Sequence, residues 1–203
     1  MKLRFASLAA VAALAASPLA ANAVVYTFNA SLNGANELPT PVVTAGTGIA
    51  TLSYNDMGTA GTGDDTYSFT LVASGYAGTA SGFHIHAAAT TAETAGVRVN
   101  LAIAPFAGAN LPGFLVVGAV GVAPPAAFAT PSGALNGGHP LMSFLAALQG
   151  GLAYVNVHTL TNTSGVIRGQ LVQVSAVPEP ATYGMLALGL VGIGFAARRR
   201  RLG

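Results

Sequence analysis

The two ends of this chain are unlike its middle, and the C-terminal end limits what the rest can fold into. Val177-Pro178-Glu179-Pro180 leads into an uncharged apolar run from Ala181 to Ala197, which stops at four arginines, Arg198, Arg199, Arg200 and Arg201. Those four are half of the chain's eight Lys and Arg side chains. At about 1.5 Å rise per residue the run makes a helix of roughly 26 Å, just short of a ~30 Å hydrocarbon core. Gly184, Gly189, Gly192 and Gly194 weaken it as a helix in water, yet glycine is tolerated where membrane helices pack closely. The arginines hold its end on the cytoplasmic side. Pro178 and Pro180 keep the preceding backbone extended and open to a protease. Residues 177–203 are therefore expected to form a transmembrane helix with an Arg-rich tail, outside any globular core.

The N-terminus tells the same story. Lys2 and Arg4 precede an apolar run from Phe5 to Ala16, and Ala21-Asn22-Ala23 has the small-x-small pattern of a signal peptidase site. A signal helix over residues 1–23 and a mature start at Val24 follow, since the run is too short for a membrane anchor. Between the ends, residues 24–176 carry Arg98 and Arg168 against Glu37, Asp56, Asp64, Asp65 and Glu93, a net charge of −3. Two isolated cations cannot neutralise a phosphate backbone, so no nucleic-acid partner is expected. This middle segment is long enough for one domain with a real core. The chain has no cysteine, which excludes thiol catalysis, thiolate metal sites and disulfides.

Pro178-Glu179-Pro180, the apolar helix and the terminal arginines resemble the PEP-CTERM sorting signal of Gram-negative bacteria. The resemblance implies transient anchoring in the inner membrane, cutting near Pro-Glu-Pro by the membrane enzyme exosortase, and export to the cell surface or biofilm matrix. It implies nothing about chemistry.

The middle reads as all-β. Val25, Thr27, Asn29 and Ser31 alternate with Tyr26, Phe28, Ala30 and Leu32. Further strands are expected near Gly48–Tyr54, Tyr67–Leu71, Gly82–Ala87, Arg98–Ile103, Leu115–Val122, Leu152–Thr159 and Val166–Val174, the last two joined across Asn162-Thr163-Ser164-Gly165. Asn55–Asp65 and Ala123–Gly138 read as loops, and Pro140–Gln149 as the one helix, with proline at its start and Gly150-Gly151 at its stop. Seven to eight short strands at this spacing predict an antiparallel β-sandwich, Greek-key in the superoxide-dismutase-like or immunoglobulin-like manner.

Four histidines are the residues with chemistry to offer. In Phe83-His84-Ile85-His86 both imidazoles lie on one strand face, about 6.5–7 Å apart. In Tyr154-Val155-Asn156-Val157-His158 the residues Tyr154, Asn156 and His158 share a face. If the two strands are neighbours, His158 brings a third nitrogen to His84 and His86. Bonds of about 2.0–2.1 Å to three imidazoles suit copper, zinc, iron or nickel, with copper favoured by affinity. Buried histidines also serve as plain hydrogen-bonding groups, with Tyr154, Asn156, Thr159 and Arg168 as partners to hand. His139, in Gly-Gly-His-Pro, is either a surface turn or a fourth ligand.

Three motifs resemble the CHRD domain, named from chordin and widespread in bacterial secreted proteins. They are Gly34-Ala35-Asn36-Glu37-Leu38-Pro39, Gly82-Phe83-His84-Ile85-His86, and Ala153 to Thr159 followed by Gly165-Val166-Ile167-Arg168-Gly169-Gln170-Leu171. The resemblance spans about Tyr26 to Val174 and implies no established enzymatic activity. Val166 departs from the Glu usual there, so a carboxylate role does not carry over. Gly-Phe-His-Ile-His is also similar to the copper-binding strand of copper–zinc superoxide dismutases, which implies His84, His86 and His158 as copper ligands. The disulfide, the bridging histidine and the zinc loop of that family have no counterparts.

Other constellations are missing. Gly-x-Ser-x-Gly, a phosphate-cradling glycine loop and a paired-carboxylate site do not occur. Asp56, Asp64 and Asp65 sit in a Gly/Thr loop that reads as a solvated turn, with a loose calcium site as the alternative. Two functions remain. One is an exported surface or matrix β-domain with a non-catalytic binding or structural role, whose partners beyond signal peptidase and exosortase are extracellular polysaccharide or protein. The other is a mononuclear copper-binding protein with superoxide-dismutase-like redox activity.

Overall fold

The computed structural model describes residues 23–58, 64–122, 139–140, 142–178, 188–190 and 193. Ten strands follow one another along the chain: β1 (Val24–Asn33), β2 (Thr47–Asn55), β3 (Thr66–Ser74), β4 (Ala80–Ala87), β5 (Val97–Asn100), β6 (Ala107–Leu111), β7 (Phe114–Val122), β8 (Ala153–Thr159), β9 (Ile167–Gln170) and β10 (Val172–Pro178). A 3-10 turn, Gly34–Asn36, follows β1, and a short helix α1 (Phe144–Gln149) precedes β8. Ser143 caps α1 by accepting the Ala146 N–H at 3.1 Å. Every strand pair is antiparallel.

The strands form one sheet in the order β5-β4-β8-β9-β1-β2-β3-β7-β6, with β10 added to β1. The sheet curls until its two halves face each other, which makes a sandwich-like core. The hinge of the curl is β9 and β10. β9 pairs with β8 and meets β1 only at Asn33–Arg168, and after Leu171 the chain runs on as β10 along the first half of β1. The sequence reads Val166–Val174 as one strand, and the structure divides it because its partner changes there. Gly169 permits the crossing: a Cβ at that position would meet the Ser31 carbonyl oxygen at 2.5 Å.

Strict alternation fills the core. Phe28, Ala30 and Leu32 of β1, Ala50, Leu52 and Tyr54 of β2, and Tyr67, Phe69, Leu71 and Ala73 of β3 are buried. Phe83 and Ile85 of β4 and Val155 and Val157 of β8 close on them from the other half. The intervening residues of β4, β8 and β9 therefore point to the opposite face, where the histidines are. Phe106 packs edge-on against Phe69 with centroids 6.0 Å apart. At one end the halves are joined by a side chain: Asn110 of β6 accepts the Ala80 N–H at 3.2 Å and donates to the Ala80 carbonyl at 2.9 Å. A cavity of about 420 Å³ lined by Phe83, Leu101 and Phe106 lies beside it.

The strand β6 has no counterpart in the sequence reading. All five of its residues are exposed, so it carries no alternation to detect. The expected strand Arg98–Ile103 ends early, at Asn100, and the expected helix starts late, at Phe144. The domain boundary expected after Ala176 falls inside β10, which pairs Val177 and Pro178 with Val25 and Val24. The signal segment through Ala21, the loop 123–138, Glu179, Pro180 and Arg198 to Arg201 lie outside the described residues. Among the described residues no helix is long and apolar enough to cross a membrane, and the expected transmembrane run is described only at 188–190 and 193.

Phe69 is fully buried at the centre of the core. Phe69→Ala should lower unfolding free energy by about 3–5 kcal/mol in a guanidinium titration. A loss below about 1 kcal/mol would contradict this packing.

Candidate metal centre

The outer face of β4, β8 and β9 is polar, yet largely covered. Across β4 and β8, Gly82 stands opposite His158, His84 opposite Asn156 and His86 opposite Tyr154, and β9 adds Arg168 opposite Asn156 and Gln170 opposite Tyr154. Register and alternation thus gather His84, His86, Tyr154, Asn156, His158, Arg168 and Gln170 on one surface. Gly82 opens the space for it, because a Cβ there would lie 3.0 Å from His84 Cε1 and 3.7 Å from His158 Cδ2.

The loop 88–96 roofs this face. Arg168 is only 2% exposed, and its Nη2 donates to the carbonyls of Thr90 at 3.0 Å and Glu93 at 2.8 Å. Its Cζ sits 3.6 Å from the Tyr154 ring centroid, and that ring stacks at 3° on His86, 4.7 Å away. Gln170 Nε2 donates to Ala89 O and Gly151 O. The Ala95 N–H donates to the Tyr154 hydroxyl at 3.2 Å.

The structure brings His84, His86 and His158 together, with one nitrogen of each within 4.8 Å of the others. His84 and His158 have ring centroids 4.9 Å apart. Two of the rings are oriented by backbone carbonyls: His86 Nδ1 lies 2.9 Å from Ala95 O and His158 Nδ1 2.9 Å from Thr163 O. A proton on each Nδ1 leaves the Nε2 lone pair of His158 free and turns that of His86 towards Asn156, and carbonyls hold metal-ligating histidines in the same tautomer. His158 Nε2 and His84 Nδ1 are buried without a hydrogen-bond partner. His86 Nε2 is 3.0 Å from the Asn156 amide oxygen, so His86 would have to exchange this contact for an ion in order to ligate.

All three rings are held below their ordinary pKa. Burial is the main cause for each, and at His84, pushed down to about 4, the neighbouring His158 and His86 add to it. Neutral imidazoles are the form that ligates. A tetrahedral ion with bonds of about 2.0–2.1 Å needs nitrogens roughly 3.3–3.4 Å apart, so nitrogens up to 4.8 Å apart must close in by as much as about 1.4 Å.

His139 does not join them. Its Nε2 lies 2.9 Å from Glu93 Oε2, and hydrogen bonds from Thr90 and from His139 hold that carboxyl down at about 2. Asp56 and Asp65 are likewise engaged at the far end of the sheet, where Tyr54 donates to Asp65 at 2.5 Å.

Sequence reasoning passed over Glu37. It is 2% exposed, and a Cβ on Gly165, whose φ is +138°, would fall on its carboxyl group. Burial pushes its pKa up to about 7 against the opposing pull of Arg168, and Oε1 has no partner. Next to it, Asn36 Nδ2 donates to the Arg168 carbonyl at 3.1 Å. The signal was present as Gly34-Ala35-Asn36-Glu37, but only the fold shows that the turn docks against β9.

Residues 28–171 match the CHRD domain, and residues 176–201 match the PEP-CTERM protein-sorting motif. No curated protein and no solved structure matches the chain. The chain belongs to the CHRD domain family, and its tail marks it as an exported protein processed by exosortase.

The raised pKa of Glu37 gives a signed pH dependence. Its contribution to stability is full below about pH 4.5 and is lost as pH rises to about 7, on the order of 3 kcal/mol at 1.36 kcal/mol per unit. The histidines act in the opposite sense, adding stability as pH rises towards 6.5. The difference between wild type and Glu37→Gln should therefore isolate a slope between pH 4.5 and 7, measured by denaturant unfolding. Parallel pH profiles would contradict the burial of Glu37.

Proposed function

We propose that this CHRD protein is an exported cell-surface or matrix domain with a binding or structural role, and that His84, His86 and His158 hold one copper ion in it. The observation that carries the metal reading is the pair of buried, unpartnered nitrogens, His158 Nε2 and His84 Nδ1, facing into one cluster. A buried polar atom without a partner is costly, and a cation would satisfy both. Copper stands highest among divalent ions for an all-nitrogen donor set. Binding an ion would tie β4 to β8 beneath the 88–96 loop, and acid would oppose it by protonating the imidazoles. Extracellular polysaccharide or protein would be the macromolecular partner, in keeping with export and with a core that bears few charges.

A redox role is the second reading. His84 and His158 are only partly covered, which leaves an open position for a small substrate.

Titrating the full-length protein with Cu(II) should give one ion per chain and nitrogen hyperfine structure in its electron paramagnetic resonance spectrum. The His84→Ala/His86→Ala variant should lose both, and His139→Ala should keep them. Equal binding by wild type and double variant would make the imidazoles structural. Superoxide consumption by the copper-loaded protein alone would shift the function to redox chemistry.

A further inference from the structure

We propose that the α-amino group created by removal of the leader is a structural group of the mature domain: an ammonium on Val24 bound by the Asp56 carboxylate. The inference rests on cleavage after Ala23 and is independent of the histidine cluster.

The receiving site is already built. Val24 N lies 2.7 Å from Asp56 Oδ1, and the Asp56 N–H returns a bond to the Val24 carbonyl at 3.2 Å. Two further donors hold the carboxylate in place, the Gly58 N–H at 3.0 Å and the Tyr26 hydroxyl at 3.5 Å. In the precursor, Val24 offers a neutral amide N–H. Hydrolysis of the Ala23–Val24 bond consumes one water, leaves a carboxylate on Ala23 and puts an ammonium on Val24. The same contact then becomes charge-assisted.

The charge pattern fits. Asp56, Asp64 and Asp65 cluster at this end, while β1, β2, β3, β6, β7 and β10 contain no Lys or Arg. The groups facing the new ammonium are Asp56, with Tyr26 and Asp65 behind it, and β10 brings no titratable residue. The position also matters to the tail. Val24 and Val25 pair with Pro178 and Val177, so the clasp anchors the strand to which the first residues of the sorting motif are zipped. Both processing junctions leave the sheet from one strand pair.

The test is unusually clean because Lys2 is the chain's only lysine and departs with the leader. The Val24 amine is then the sole primary amine of the processed protein. Exported, processed protein should begin at Val24 by mass and N-terminal sequencing. Its amine should react with an acylating reagent at pH 8 about two- to fivefold more slowly than that of Asp56→Asn, a factor typical of a partly exposed ion pair. Acetylating it should raise the unfolding equilibrium constant by a similar factor in wild type and leave Asp56→Asn unchanged. If Asp56→Asn fails to fold, the acetylation effect in wild type should still shrink in 1 M salt, where charges are screened within about 3 Å. A different mature start, equal reactivity, or an acetylation effect indifferent to salt would overturn the proposal.

Discussion

A buried guanidinium organises the polar half of this molecule. Arg168 cannot lose its charge, and at 2% exposure it must find partners or stay unfolded. It finds them in the carbonyls of Thr90 and Glu93 and in the face of Tyr154. Each contact recruits a separate piece of chain. The carbonyls draw the 88–96 loop over the sheet, and Ala95 of that loop then orients His86. The ring fixes Tyr154, whose other face stacks on His86. The residue's own backbone carbonyl receives Asn36 and so docks the turn that buries Glu37. The histidine face is thus a by-product of satisfying one cation.

This explains what the family motifs encode. In Ile167-Arg168-Gly169-Gln170, Ile167 fills the core, Gly169 lets β9 cross close to β1, and Arg168 and Gln170 pin the roof. Asn36 and Glu37 bind the turn to the same strand. Val166, where a carboxylate is usual, is 2% exposed, so this chain has an apolar residue in an apolar place. The motifs are read most simply as scaffold, with the imidazoles carried on it.

Much of the fold was legible because half-buried antiparallel strands alternate. That rule locates β1 and β3, puts His84 and His86 on one face of β4 and puts His158 on the face of Tyr154 and Asn156 in β8, while β7 is legible as an apolar run. It failed where burial no longer alternates: β6 is exposed throughout, and Val166–Val174 changes partner halfway along. The adjacency of β4 and β8, on which the cluster depends, is a matter of topology across some seventy residues and leaves no local mark. The same holds for the Glu37 burial and for His139, which reads as a surface turn or a fourth ligand and whose Nε2 meets Glu93 instead of the cluster.

Asn110 closes the sandwich where no strand does. One amide stands in for a whole partner, taking up the N–H and C=O of Ala80 and nothing further along β4. The seam is therefore the compliant direction of an otherwise stiff shell. Among the described residues, the two Asn110 bonds, the Gly113 N–H donating to the Gly78 carbonyl at 2.7 Å and the walls of the neighbouring 420 Å³ cavity resist its parting. Mechanical load on the exported domain would be felt there first, far along the chain from the strand pair formed by β1 and β10.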